Sequence, residues 1–197
     1  MLVSLLTFYY VTVVCMHGNS YSPEAGPHGL LLALANTGHQ PDDELATQAS
    51  VRAWWAQIRP RAAAGPDGAE SDLEILRAAR TLIRGLGLQH NDVDPDPGLD
   101  ASALAGVPLT FTLDGGPDLT VHGRTNLPRQ IAACIVADLL RSPSRPDWQR
   151  VKACPGPDCA WVFVDRSRNG SRRWCQMNEC GNRAKGAAFR ARKRSTT

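Results

Sequence analysis

Four of the six cysteines of this chain fall in two pairs with the same gap. Cys154 and Cys159 bracket Pro-Gly-Pro-Asp, and Cys175 and Cys180 bracket Gln-Met-Asn-Glu. Pro and Gly in the first gap enforce a turn, so one tight loop presents two thiols together. Trp161-Val162-Phe163-Val164 then reads as a strand, and Arg168-Asn169-Gly170-Ser171 contains Asn-Gly, a strong hairpin signal. Arg172-Arg173-Trp174 brings the chain back to Cys175, so a β-hairpin is expected between the pairs. Gly181 and Asn182 open a helix of about a dozen residues, favoured by Ala184, Ala187, Ala188 and Ala191.

Two disulfides, free thiols, an iron–sulfur cluster and a zinc site all compete for four such cysteines. The spacing is not a ferredoxin pattern, and disulfides go with export to an oxidising compartment. A segment of roughly 45 residues buries too little surface to fold alone and needs a staple. The equal gaps, the hairpin between them and the small size favour one structural Zn2+ held by Cys154, Cys159, Cys175 and Cys180. Tetrahedral zinc with four thiolates at about 2.3 Å keeps no open position, so the chain is not expected to be an enzyme. Knuckle, hairpin and a helix carrying the last ligand together make a treble-clef-like zinc finger.

Charge divides the chain in the same place. The net charge is +3, yet from Arg145 onward there are thirteen basic and four acidic residues, a balance of +9 against −6 for residues 1–144. A basic module beside an acidic one points to an anionic partner for the former. The candidate contacts are Arg172, Arg173, Arg183, Lys185, Arg190, Arg192, Lys193 and Arg194. Their attraction to a polyanion is sequence-independent and salt-sensitive, and arginine adds bidentate contacts to guanine. Trp161 and Trp174 are read as cover for the metal site. Asn182 is read as capping the last helix or orienting a thiolate, and Arg183 as a possible partner of Asp165.

The preceding residues read as an α+β domain. Leu30 to Ala35 is a short buried helix. Ser50 caps a helix through Ile58 whose Val51, Trp54, Trp55 and Ile58 belong to the core. Ser71 and Glu74 fit a capping box, and Leu73, Leu76, Ala79, Ile83 and Leu86 follow at helical spacing. That helix is expected from Asp72 to Arg84, stopped by Gly85 and Gly87, with Arg77, Arg80 and Arg84 on a solvated face. The Asp-rich run from Asn91 to Asp100 is a loop whose offsets do not fit an EF-hand. Val107 to Leu113 and Leu119 to His122 form a hairpin about Asp114-Gly115-Gly116-Pro117. Leu127 to Leu140 is a central helix, too short to span a bilayer, with Cys134 buried in it. The five histidines are scattered surface residues, and no nucleophile elbow, phosphate loop or dinucleotide fingerprint is present. Met1 to Cys15 is apolar and uncharged. An export signal, a membrane helix and a start codon placed too early compete for it, and we favour the last, which goes with a cytoplasmic chain and no membrane partner.

The run from Arg172 to Lys185, with Cys180-Gly181-Asn182-Arg183 at its centre, resembles the signature of the CGNR zinc-finger family. Phe163-Val164-Asp165 and Ser167-Arg168-Asn169-Gly170 also fit it. Leu34-Ala35-Asn36-Thr37 and the Ala-rich helix from Ala132 to Leu140 are similar to the ABATE domain that precedes this finger in that family, although the family's acidic residue is missing from the first segment. The resemblance to the finger covers about Val151 to Arg194, and the Ser/Pro/Arg linker Ser142–Pro146 sets the boundary, giving an atypical extension over 1–27, an ABATE-like domain over 28–144 and the finger over 145–197. The resemblance implies stress-linked transcriptional regulation, with DNA as the partner of the finger. A small-molecule effector of the first domain is the accompanying expectation, and a protein- or RNA-interaction module is the alternative.

Overall fold

The computed structural model describes residues 26–195 except 40, 61, 63, 96, 114–117 and 122–124. The readings made for residues 1–25, for the turn at 114–117 and for His122 lie outside the described residues. The described residues cluster into two compact units, one running to Leu82 and resuming over Asp100–Pro146, the other made of Ile83–Leu99 and the chain from Asp147 onward. Among the described residues, no helix is long and apolar enough to cross a membrane.

The first unit is helical with one small sheet. Its helices are α1 (Gly29–Ala35), α2 (Gln48–Ile58), the first part of α3 (Glu70–Gln89) and α4 (Leu127–Arg141). Strands β1 (Leu109–Thr112) and β2 (Asp118–Val121) pair antiparallel, Leu109 opposite Val121 and Phe111 opposite Leu119. Helix α4 lies against α1, α2 and β2. Its nearly continuous apolar sequence is explained by that position, since Leu127, Ile131, Ala132, Cys134 and Ile135 are all buried. Trp54 and Trp55 are buried as well, as core residues should be.

Helix starts differ from the sequence reading for a common reason: a neighbouring side chain closes the first turn earlier. Helix α2 is capped by Thr47, whose hydroxyl accepts from the Ser50 N–H (3.1 Å), while Ser50 Oγ accepts from the Thr47 N–H (2.9 Å). Ser50 therefore occupies the third helical position of a reciprocal box rather than the cap. At the start of α3, Asp72 rather than Glu74 reaches back, accepting from the Ala69 N–H at 2.8 Å. Asp72 also accepts from Asn126 Nδ2 (2.8 Å) and Arg129 Nε (2.7 Å), tying α3 to the start of α4. Burial alone would raise its pKa, but the Ala69 and Arg129 hydrogen bonds outweigh burial and hold it below 3.8.

Arg77 and Arg80 are not a solvated face. Arg77 donates to the Leu45 and Ala46 carbonyls (2.8 and 3.0 Å), and Arg80 pairs with Asp43 (2.7 Å) and donates to Thr37 Oγ1 (3.2 Å). The two arginines hold the connection between α1 and α2 in place of backbone ladder bonds. His28, read as a surface residue, is fully buried at the start of α1.

Helix α3 also runs past Gly85 and Gly87. In the second unit these glycines serve packing. A Cβ on Gly87 would lie 2.8 Å from the Ala153 backbone nitrogen, so β3 (Val151–Ala153) approaches the helix only where no side chain stands. Strand β3 pairs antiparallel with β4 (Val162–Val164), Val151 opposite Val164 and Ala153 opposite Val162. The hairpin of the finger is thus built from the strands flanking the first cysteine pair, not from a return strand between the pairs.

The expected return, 172–174, and the turn before it find their partners in side chains instead. Asp165 Oδ2 accepts from the Arg172 N–H (2.9 Å), Asn91 Nδ2 donates to the Arg173 carbonyl (2.7 Å), and Lys152 Nζ donates to the Gly170 carbonyl at 2.5 Å. With its polar groups so paired, the segment has no need of a ladder. The Asn169-Gly170 turn is real, with Gly170 at φ +62 and its N–H on the Ser167 carbonyl, but no strand follows it.

Candidate metal centre and the basic helix

The first cysteine pair sits on the loop joining β3 to β4. The Cys154 N–H donates to the Trp161 carbonyl (2.9 Å), closing that loop, and the Cys159 N–H donates to the Gly156 carbonyl (3.1 Å), folding it over. Asp158 and Ala160 take positive φ, +62 and +48, a conformation that residues with a Cβ adopt at some cost. Gly156 has the opposite relation to its surroundings. Its Cα faces the sulfurs, and a Cβ there would stand 3.2 Å from Cys180 Sγ and 3.4 Å from Cys154 Sγ.

The second pair approaches from a different geometry. Cys180 lies in a π-helical turn, Met177–Gly181, marked by the Gly181 N–H donating to the Gln176 carbonyl (3.2 Å). Such turns are rare and collect at functional sites. Gly181 follows without a side chain because Met177 Sδ and Trp174 occupy the space a Cβ would need. The chain continues into α5 (Asn182–Ser195). Asn182 Nδ2 donates to the Asn178 carbonyl at 3.1 Å, so its amide secures the turn and not a thiolate.

The four Sγ atoms all lie within 4.8 Å of one another. Cys159 and Cys175 are 3.5 Å apart, and Cys175 and Cys180 are 3.7 Å apart. A tetrahedron with ligands at about 2.3 Å has edges of about 3.8 Å, whereas a disulfide holds its sulfurs at about 2.0 Å. The arrangement therefore fits one tetrahedral zinc ion and neither disulfide nor scattered thiols. A zinc ion held there would cross-link the loop carrying Cys154 and Cys159 to the turn carrying Cys175 and Cys180. Cys154 and Cys180 are buried with Phe163, and Cys159, Trp174 and Cys175 pack partly buried against them. Trp174 thus covers the site as expected, while Trp161 is 41% exposed.

Electrostatics around the sulfurs are uneven. Burial pushes the Cys175 thiol well up, with the neighbouring thiols adding to it. Burial acts on Cys180 too, but a hydrogen bond from Arg183 outweighs it and brings that thiol down. Arg183 Nη2 lies 3.1 Å from Cys180 Sγ. Asp165 is occupied elsewhere. It is fully buried, paired with Lys152 Nζ at 3.0 Å, and accepts from the Ser167 N–H and hydroxyl (2.9 and 2.6 Å). Burial works against its charge, yet the hydrogen bonds from Ser167 and Lys152 hold its carboxyl at about 2.

The eight basic candidates divide into groups. Arg172 lies over the Phe163 ring, 4.7 Å from its centroid, and donates to the Trp174 carbonyl (3.0 Å) and to that of Cys175. It braces the second cysteine loop. Arg173 is exposed beside it, with its carbonyl held by Asn91. Arg183 is on Cys180. Lys185, Arg190, Arg192, Lys193 and Arg194 are exposed along α5, a helix with no acidic residue. Arg183, Arg190 and Arg194 recur along one face and Lys185 and Arg192 along another.

Asn91, Lys152 and Gly156 support the centre and carry no site signal in the sequence reading, whereas Asp165 does carry one but acts as the partner of Lys152 and not of Arg183. Asn91 opens the Asp-rich run, where nothing local distinguishes a structural amide from an ordinary loop residue. For the Lys152–Asp165 pair the local signal is a lysine set between the apolar Val151 and Ala153.

Residues 29–143 match the family model ABATE, described as "Putative stress-induced transcription regulator", and residues 150–193 match the CGNR zinc finger. No curated protein matches the chain.

Proposed function

Since the chain belongs to the ABATE family and carries a CGNR zinc finger able to hold one zinc ion, we propose that it is a zinc-dependent DNA-binding transcriptional regulator. The observation that carries this reading is α5. Six basic residues and no acidic one stand along an exposed helix that begins two residues after the last candidate metal ligand. A helix anchored at one end by a metal and solvated along its length suits a nucleic-acid groove. Counter-ion release then supplies affinity, and arginine–guanine contacts supply sequence preference. In this reading the zinc is structural, since four thiolates fill its coordination, and the protein is not an enzyme. The first unit senses a small molecule or mediates assembly.

Phe189 favours a second reading. It is 63% exposed among the basic residues of α5, where an aromatic ring serves base stacking on single-stranded RNA or an apolar contact with a protein. Selection of bound fragments by the zinc-loaded chain from random DNA, with a random RNA pool beside it, separates the two. Enrichment of a duplex DNA motif is expected. Enrichment from the RNA pool alone, or from neither, overturns the DNA reading.

A further inference from the structure

We propose that Arg183 is a positioning residue of the metal centre, the hydrogen-bonding counter-charge of the Cys180 thiolate. Three observations converge on it. Its Nη2 lies 3.1 Å from Cys180 Sγ, within reach of a charge-assisted N–H···S bond. Cys180 is 2% exposed, so water cannot solvate the sulfur in its place. Cys180 lies in the π-helical turn Met177–Gly181 and Arg183 stands in the first turn of α5. The i, i+3 spacing that places them on one side is therefore set by the local backbone.

Four thiolates around one Zn2+ leave a net charge of about −2, and the site is partly buried. A guanidinium on one sulfur offsets that charge, fixes the direction of a lone pair and lowers the sulfur's reactivity toward electrophiles. Lysine would bring the charge without the planar fork that reaches the sulfur edge-on. The inference rests on the zinc site and not on the nucleic-acid reading. It also removes Arg183 from the residues expected to dominate phosphate contact.

The test uses the full zinc-loaded chain without nucleic acid. Zinc transfer to a chromophoric chelator and alkylation of each cysteine by N-ethylmaleimide are followed for the native chain, Arg183→Ala, Arg183→Lys and Arg190→Ala. Arg183→Ala is expected to speed zinc transfer by about tenfold, the scale of a lost outer-shell partner, and to make Cys180 the fastest-alkylated ligand. Arg183→Lys should recover part of the loss. Arg190→Ala, on the same helix but away from the sulfurs, should behave as the native chain. Cobalt substitution gives the readout that a purely structural role would not move, because loss of the N–H···S bond shifts the sulfur-to-cobalt charge-transfer band to lower energy. An unshifted band with unchanged zinc transfer in Arg183→Ala overturns the proposal, as does an equal acceleration in Arg190→Ala. Should the alanine variant not fold, a native band and native transfer rate in Arg183→Lys overturn it equally. A failure of DNA selection would leave all of these outcomes untouched.

Discussion

The side-chain amide of Asn91 donates to the carbonyl of Arg173 at 2.7 Å across 82 positions of sequence, and its second N–H donates to the carbonyl of Ala153 at 2.8 Å. One buried amide thus joins β3, just before Cys154, to the segment entering Cys175. It stands at the end of α3, where His90 Nδ1 also donates to the Val151 carbonyl (2.8 Å) and the His90 ring meets Trp148 edge-on at 4.8 Å. The residues that position the two cysteine pairs therefore include His90 and Asn91, in the Ile83–Leu99 part of the second unit and outside the 150–193 span of the finger match.

Asn91→Ala in the zinc-loaded chain should therefore destabilise the finger by about 2–3 kcal/mol, because two carbonyls lose a buried donor. Asn91→Asp should be worse, since it sets a carboxylate against two carbonyl oxygens. Denaturant unfolding followed by Trp fluorescence, together with zinc competition, measures both. A native midpoint for Asn91→Ala would mean that the finger is sufficient without this segment.

How much of this could be read from sequence depends on the range of the interaction. The cysteine tetrad was legible because ligand spacing along the chain is itself the signal, and α1 and α4 were legible because full burial writes nearly continuous apolar runs. The strand pairing was not. Trp161 to Val164 and the Asn169-Gly170 turn pointed to a hairpin between the pairs, yet β4 pairs backward onto β3. Nothing local announces that Asp165, Lys152 and Asn91 satisfy the backbone of 170–173 in place of a strand. The same holds for Gly85 and Gly87, read as a helix stop by local rules, and kept helical because the second unit needs a smooth face at Gly87.

Gly156→Ala tests the packing of the metal loop directly. Its new Cβ would stand 3.2 Å from Cys180 Sγ and 3.3 Å from Cys180 Cβ, so the loop or the π-helical turn must yield. Overpacking of this kind costs about 1–3 kcal/mol, and here it should appear as weaker zinc binding in competition with a chelator. The first unit's unfolding should be unaltered. Zinc affinity equal to the native chain's would show that the loop relaxes freely.

For the basic helix, the salt dependence of DNA affinity is more telling than affinity alone. Each phosphate contact removed should lower the slope of log K against log salt by about 0.9. Arg190→Ala and Arg194→Ala lie on one face of α5 and should each reduce the slope by about that amount if the face tracks the backbone. Fluorescence anisotropy on a selected duplex across a salt series gives the slopes. Unchanged slopes in both variants would place the nucleic acid elsewhere than along this face.

Asp72 gives a pH dependence independent of the metal. Its folded pKa is lowered, because hydrogen bonds from Ala69 and Arg129 outweigh burial. Its contribution is therefore complete above the unfolded value near 3.9 and is lost as pH falls through the lower folded value. Asp72→Asn keeps the shape but removes the charge that Arg129 and the start of α3 rely on, and should cost about 1–2 kcal/mol near neutrality. The gap between native and variant stability should hold from pH 7 to about pH 5 and close progressively below about pH 4. Thermal unfolding followed by circular dichroism over that range, with zinc removed from both proteins beforehand, isolates the first unit's transition. A gap that persists undiminished at pH 2 would show that Asp72 acts there through packing, without its charge.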